Sequence, residues 1–587
     1  MIQRRVHVMV IIVLVVSTLC IYLPALNAQF LNWDDQAHLV NNHATQQLDI
    51  PHVKEAFTQV VQLVYMPLTT LSWTIERAIV GLNPMLYHAT NIVIHAINAC
   101  LVWQLALRLG LLPLGALMAV LLFAWHPMKV ESVAWVTERK DVLCAMFYLL
   151  TLIKWVDYRR NSSMKNYAWV LLMAVLALLS KPMAISLPLV LLVMDWLIVK
   201  KLTWQHVKDK IIIFLCAIAI GWITYQHHVR YPIDDLLRNA AVFVYTIIFY
   251  PVKFFIPIQL TPIYTLPTPI GFQQPIYLVS LLAVLLSVIT VVFLRKHRWL
   301  IFAVMFWVSS IFFLWRYDEA HDINIVADRF IYIPSIGACL ALGVLAQSLH
   351  KKWQLIFLSG LIMLAVLSAN QVRVWHDSIT LFSHAIIINP VNTVALNDRA
   401  GAYDAIHRYD LAINDYDAIL KFKPTDADTF MNRGLVFQAA GEHQQAVKDF
   451  TAVVGIYPNY ARGYLKRGVS FLKLKQFDEA ITDFTHTIHL TPDDADAYYN
   501  RGLAYLKQGK NDQALDEFNK AIKYQPNMAV AFNNRGVLYA KRHDYTQARR
   551  DFKQALTLDS SNRDAAFNLQ SVSILEKSND VTPQQVR

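Results

Sequence analysis

The sequence predicts an all-α protein, a polytopic membrane domain over residues 1–370 followed by a helical-repeat solenoid. Three observations carry this. Apolar residues make up 56% of the 587 and charged residues only 16%, a balance that does not suit a soluble chain of this length. Uninterrupted apolar stretches of membrane-spanning size recur through the first 370 residues. Beyond residue 390 the chain repeats itself every 34 residues.

The apolar stretches lie near 6–25, 88–108, 111–125, 142–156, 167–180, 183–199, 211–226, 239–257, 275–294, 299–315, 329–348 and 354–370. Lipid offers no partner to a backbone N–H or C=O, so each stretch must be a helix. Lys181-Pro182 breaks the run from Tyr167 to Val199 into two short helices. Arg4-Arg5 followed by an apolar run to Leu23 reads as an uncleaved first span, since Leu26-Asn27-Ala28 is a poor cleavage site. Residues 1–370 carry 27 Lys and Arg against 17 Asp and Glu, a net of +10, and the remainder 26 against 25, a net of +1. The basic excess thus belongs to the membrane half, where it reports topology and not nucleic-acid binding. The clusters at Arg4-Arg5, Arg108, Arg159-Arg160, Lys200-Lys201, Arg295 to Arg298 and Lys351-Lys352 should all face the cytoplasm. Twelve crossings would put Arg295 to Arg298 outside. A segment at 239–257 that enters and leaves on the outer face, interrupted by Pro251 and Lys253, restores every cluster and leaves eleven crossings. The loop at 26–87 and the C-terminal domain then share the non-cytoplasmic side. Cys20, Cys100, Cys144, Cys216 and Cys339 all lie in apolar stretches without a CxxC pair, so neither disulfides nor zinc are expected.

In the repeats, Pro390, Pro424, Pro458, Pro492 and Pro526 fall 34 residues apart, as do Ala412, Ala446, Ala480, Ala514 and Ala548. Tyr416, Phe450, Phe484, Phe518 and Phe552 keep the period, as do Gly434, Gly468, Gly502 and Gly536. Small residues let two helices approach, the aromatic fills the gap beside them and proline ends the second helix: the tetratricopeptide (TPR) pattern. Five repeats occupy 393–562, preceded by a half-repeat junction helix at 371–392 with no flexible linker. A capping helix follows at 563–576 and a disordered tail at 577–587. Arg399, Arg433, Arg467, Arg501 and Arg535 should pair with Asp415, Asp449, Asp483, Glu517 and Asp551 inside each repeat. One position earlier stand Asn432, Lys466, Asn500 and Asn534, on the face that lines the groove of TPR arrays. A side-chain amide donates and accepts together, so Asn432, Asn500 and Asn534 are candidates to hold an extended peptide acceptor.

Candidate chemistry gathers in the outer loops. The first opens with adjacent Asp34 and Asp35, which are costly at a membrane surface unless partnered, against the plainer reading of a solvated loop with a helix cap. The second, His126 to Asp141, holds Glu131, Glu138, Arg139 and Asp141 between two apolar spans. Its plainer reading is an interfacial helix with self-paired charges, and His126 before proline reads as an interfacial or capping residue. Arg329 stands at the mouth of a late span, where a guanidinium can grip a phosphate bidentately or else pair with Asp328. Lys181 is a similar cation on the outer side. A sugar on a polyprenyl phosphate needs a carboxylate to deprotonate the acceptor and cations for the departing phosphate, which is this set.

With FLNWDD at 30–35, HPMKVESVAWVTERKDVL at 126–143, SKP at 180–182, ADRFIYIP at 327–334 and TPRs directly after the last span, the chain resembles the TMTC family. These are transmembrane and TPR-containing O-mannosyltransferases with the GT-C glycosyltransferase fold, and the resemblance covers nearly the whole chain. It implies a GT-C-like membrane domain, a polyprenyl-phosphate-linked sugar as donor, and Asp34 and Asp35 as the acidic pair of the first outer loop, with Glu131 and Arg139 in the second. The short TPR array and spare loops suggest a bacterial relative, in the inner membrane with its TPRs in the periplasm.

The residues thus point to an inverting membrane glycosyltransferase. In it Asp34, Asp35 and Glu131 are catalytic, Arg139, Lys181 and Arg329 bind the donor phosphate, and the TPRs hold a protein acceptor. Asp34 is favoured as the base, with Asp35 orienting it or binding a divalent cation. No HxxxH or HExxH spacing supports a histidine metal site, and no other cofactor is called for. The alternative is a non-catalytic membrane-anchored TPR scaffold for envelope assembly, but clustered acids and cations on so many spans exceed what an anchor needs. A transporter would require intramembrane charged pairs, and beyond Asp195 none is legible.

Overall fold

The computed structural model describes residues 2–199, 201–227, 236–312 and 326–579. Among them every regular element is a helix and no strand occurs. The chain divides into two units, Met1–Asp398 and Arg399–Arg587. Lys200, the end of the stretch expected at 299–315, and the tail beyond Asn579 lie outside the described residues.

Each of the twelve apolar stretches contains helix among its described residues. Six helices have the length and apolarity to cross a membrane alone: His7–Asn27, Pro84–Arg108, Pro182–Val199, Leu236–Phe255, Pro275–Phe293 and Lys351–Val374. Pro113–Trp125 joins Pro127–Ala134 across a 56° bend as a seventh candidate. Met164–Ser180, Ile211–Gln226, Arg298–Ile311 and Ser335–Ser348 are shorter than the roughly 20 residues that span about 30 Å, while Arg139–Arg160 carries charge at both ends. Proline opens the helices at Pro84, Pro113 and Pro275, where the first N–H has no intrahelical partner to lose. Pro113–Trp125 and Ser335–Ser348 approach closely at Gly115 and Gly343, where a Cβ on Gly343 would stand 2.7 Å from that of Ala119.

The hydrogen bonds sort the helix ends into two groups. At the basic end, buried Asp195 accepts from Trp155 Nε1 (2.8 Å), Arg159 Nε (2.8 Å) and Lys210 Nζ (2.5 Å), and Arg159 Nη1 reaches Asp209 (2.7 Å). Arg108 meets Asp157, and Arg298 donates to the Trp196 carbonyl. Asp195 is therefore part of a paired staple joining three helices, not the lone charge of a conduction path. The opposite end gathers the segments around residues 30–40, 126–141, 181–186, 254–264 and 327–335.

The segment at 239–257 departs from expectation. It does not double back; it is one helix, Leu236–Phe255, continuous through Pro251. Its second half packs on groups of the second end: Tyr245 on Tyr277, Phe249 on Tyr264, and the Phe254 carbonyl accepting from His126 Nε2 at 2.8 Å. The expected half-repeat, Ser378–Ile388, also belongs to the first unit. There His384 Nε2 meets the Leu260 carbonyl (2.9 Å) and Asn392 Nδ2 the Ile263 carbonyl (3.3 Å).

In the second unit paired antiparallel helices follow the 34-residue period, closed by Arg563–Asn579, which runs through 577–579 of the expected tail. All five arginines form the expected ion pairs: Arg399–Asp415, Arg433–Asp449, Arg467–Asp483, Arg501–Glu517 and Arg535–Asp551. Each periodic glycine faces the aromatic of its partner helix, so that a Cβ on Gly468 would stand 2.8 Å from the Phe484 ring. Gly455, by contrast, has open space beside it. Gly468→Ala should therefore destabilise the solenoid by about 1–3 kcal/mol, as overpacking does. Gly455→Ala should leave stability unchanged or raise it by up to about 1 kcal/mol. Denaturant unfolding of the purified full-length chain, followed by circular dichroism, reads both.

Candidate active site

The helix from Pro113 stops at Trp125 because Pro127 favours extended backbone at His126, whose ring Nδ1 caps the next turn by accepting from Met128 N–H. Two short turns follow, broken by extended Trp135, before the long helix starts at Arg139. This kinked path aims Glu131 and Glu138 inward, 2% and 1% exposed.

Around them three cations from three segments converge. Arg329 Nη1 pairs with Glu131 Oε1, while its own N–H donates to Oε2 at 3.0 Å, and its Nε lies 3.5 Å from Glu138 Oε1. Lys140 Nζ stands 3.0 Å from Glu138 Oε1. Lys181 Nζ bridges Glu138 Oε2 (3.2 Å) and Asp141 Oδ1 (2.6 Å). Burial raises the Glu138 carboxyl, but Lys140, Lys181 and Arg329 outweigh it and hold the group well below its ordinary range. Next to Arg329, burial and then the charge of Glu131 push the Asp328 carboxyl well above the ordinary range, and it accepts from Tyr264 Oη at 2.8 Å. Asp328 therefore does not serve as the partner of Arg329; Glu131 and Glu138 do.

The two adjacent aspartates part company. Asp35 is fully buried, accepting from Leu31 N–H (2.8 Å), Thr137 N–H (3.0 Å) and the Thr137 hydroxyl, and so ties the first outer loop to the second. Burial raises its carboxyl to about 6. Asp34 remains 25% exposed, with Lys140 Nζ 4.0 Å away. The residues before it are fastened from the far side: Gln29 N–H to the His376 carbonyl (2.8 Å), Asn32 N–H to Ser378 Oγ (2.9 Å), and Asn32 Nδ2 to the Asp398 carbonyl (3.1 Å). Trp33 stacks on Trp135, centroids 4.6 Å apart, and meets Phe382 edge-on.

Asp34, Glu131, Lys181 and Arg329 thus share one end of the bundle with Glu138 and Asp141. Arg139 does not join them. Its Nη1 pairs with Glu76, its Nε donates to Asn91 Oδ1 (2.9 Å) and its Nη2 to the Tyr87 carbonyl (2.9 Å), so its donors serve the packing of three helices and not a phosphate. The cation at the site is its neighbour Lys140, which sequence reading overlooked, as it overlooked Glu76. Among the described residues no three His, Cys, Asp or Glu side chains gather as a metal site. In the second unit Asn432, Asn500 and Asn534 are half-buried. Asn500 Nδ2 donates to its own helix at the Asp496 carbonyl (2.8 Å) and Asn534 Nδ2 to Tyr499 Oη (3.0 Å).

Tetratricopeptide repeat models match residues 397–461, 465–529 and 529–562. "Protein O-mannosyl-transferase TMTC2" of Mus musculus is 32% identical over 162 residues, 26% of this chain and 19% of its own. "Protein O-mannosyl-transferase TMTC4" of Homo sapiens is 31% identical over 169 residues, covering 25% and 23%. "Protein O-mannosyl-transferase TMTC3" of Mus musculus aligns over 431 residues at 23% identity, 63% of this chain and 45% of its own. This chain is similar to these TMTC proteins over part of its length. It spans between about a fifth and under a half of the length of those TMTC relatives. Among solved structures, MamA aligns over 29% of this chain and 92% of its own at 26% identity, with a TM-score of 0.27.

The contacts of Arg139 predict a structural role for Glu76. Glu76→Ala leaves a buried guanidinium without its counter-charge, which should lower stability by about 3 kcal/mol or more. Denaturant unfolding of the purified chain reads the loss, and an unchanged midpoint would remove Glu76 as the counter-charge of Arg139.

Proposed function

We propose that this chain is a membrane glycosyltransferase that moves a sugar from a polyprenyl phosphate to a hydroxyl of a protein acceptor held by the TPRs. The observation that carries the reading is the gathering of Arg329, Lys140 and Lys181 around buried carboxylates beside partly exposed Asp34. The relatives' name, protein O-mannosyl-transferase, supports mannose as the sugar.

In this mechanism the acceptor oxygen attacks the anomeric carbon as the bond from that carbon to the phosphate oxygen breaks, so configuration inverts. Asp34 takes the hydroxyl proton, and the leaving polyprenyl phosphate carries away the electron pair of the broken bond. Arg329, Lys140 and Lys181 stabilise the charge that develops there, with Arg329 presenting a planar fork. Glu131 and Glu138 hold these cations in place before the donor arrives. Asp35 fixes the backbone on which Asp34 stands, a positioning role beside the base. Asn432, Asn500 and Asn534 form the proposed acceptor groove, where a peptide would replace their present partners. A scaffold has no use for three cations converging on two buried glutamates. The reading requires the TPRs on the same side of the membrane as the Asp34 loop, the non-cytoplasmic side, which is the periplasm if the membrane is the inner membrane of a bacterium.

Two measurements test this. With purified protein and a polyprenyl-phosphate-linked mannose, Asp34→Asn should lower kcat by about 10²–10⁴ while donor affinity holds, because only the proton acceptor is lost. Full activity in that variant would remove Asp34 from the reaction. A reporter that functions only in the cytoplasm, fused after Arg587, should stay silent, and activity there would separate the TPRs from the Asp34 loop.

A further inference from the structure

Lys129 is fully buried just beyond the helix ending at Trp125, and the transfer chemistry gives it no task. Its ammonium donates to the main-chain carbonyls of Ile331 (3.0 Å) and Tyr332 (3.1 Å) and to the Ser335 hydroxyl. The rings of Phe123 and Tyr332 flank it, each centroid 5.0 Å from Nζ. Three N–H donors thus meet three neutral oxygens. An ion taken out of water and held by neutral groups is a poorer stabiliser than an apolar side chain of the same volume, so a purely structural role explains it badly. Its contacts are informative in another way. The carbonyls it holds close the C-terminal end of the turn Asp328–Ile331, on which Arg329 sits. Glu131, two residues along the chain, holds the opposite end, Oε2 accepting the Arg329 N–H and Oε1 the guanidinium. The anion meets an N–H at the start of the turn and the cation meets C=O groups at its end, the charge signs that the two ends of a turn favour.

We infer that Lys129 and Glu131 clamp the turn Asp328–Ile331 from both ends, making Lys129 a positioning residue for the donor phosphate that acts through Arg329. The inference rests on the reading of Arg329 as a phosphate-binding residue. A phosphate clamp must hold its donors to within about 0.5 Å, and the Arg329 fork is only as fixed as the turn beneath it. Without Lys129 the Ile331 carbonyl loses its ammonium donor, the Tyr332 carbonyl keeps only the Ser335 hydroxyl at 3.2 Å, and the C-terminal end of the turn is held more weakly.

The test is the affinity of the purified full-length chain, in lipid nanodiscs, for a polyprenyl monophosphate. Arg329→Ala should weaken binding by about tenfold or more, the range for a charged hydrogen bond. Lys129→Met, which fills the same volume, should weaken it by about fivefold, and the double variant should bind no more weakly than Arg329→Ala alone, since Lys129 acts only through Arg329. Losses that multiply in the double variant, or a folded Lys129→Met with unchanged affinity, overturn the clamp while leaving Arg329 as the phosphate residue. Unchanged affinity in Arg329→Ala overturns the phosphate reading itself, and the clamp with it, before any Lys129 variant is made. Should Lys129→Met fail to fold, Ser335→Ala removes one of the three oxygens and answers by the same comparison, with a loss of about threefold expected that vanishes in the Arg329→Ala background.

Discussion

The buried pairing of Glu131 and Glu138 with Arg329, Lys140 and Lys181 is the interaction on which the rest of the membrane unit depends. A lone carboxylate buried at the end of an apolar bundle carries a desolvation penalty of several kcal/mol, and two side by side carry more. That penalty is offset only if cations reach them, and the cations come from segments as far apart in sequence as 181 and 329. The helix before Lys181 and the turn at Asp328 must both close on the 126–141 loop. Around this centre Asp35 ties down the first outer loop through Thr137, and Tyr264 brings in the proline-rich segment through Asp328.

The same cluster reconciles two demands that pull against each other. A phosphate site needs positive charge, yet unpaired cations next to lipid are destabilising. Buried Glu131 and Glu138 offset part of the charge of Arg329, Lys140 and Lys181, and under the proposed function the donor phosphate would supply the rest. The arrangement keeps the cations desolvated and oriented, the condition under which their charge acts most strongly on a developing anion. The half-repeat and the start of the helix after it contribute from outside. Ser378, His376 and Asp398 grip residues 29–32, so the backbone leading to Asp34 is held from both sides.

In the solenoid the physics is local. Each arginine finds its carboxylate 16 positions along the chain, within its own repeat, and each periodic glycine faces an aromatic at the same separation. Contacts of fixed short range print a fixed period on the sequence.

For that reason the sequence alone determined the all-α architecture, the helices of the twelve apolar stretches, the repeat register and the five ion pairs. Lipid and stacking impose those patterns residue by residue. The assembly of the candidate site was legible in part: Asp34, Glu131, Lys181 and Arg329 do meet. Two choices between neighbours were not legible. Arg139 and Lys140 are both basic and adjacent, as Asp34 and Asp35 are both acidic and adjacent. Consecutive residues on a helical turn point about 100° apart, so one neighbour faces the site and the other does not. Which is which was decided by Glu76, which draws Arg139 away, and by Thr137, which draws Asp35 inward. Both partners lie more than 60 residues distant in the chain, and only the tertiary fold brings them near.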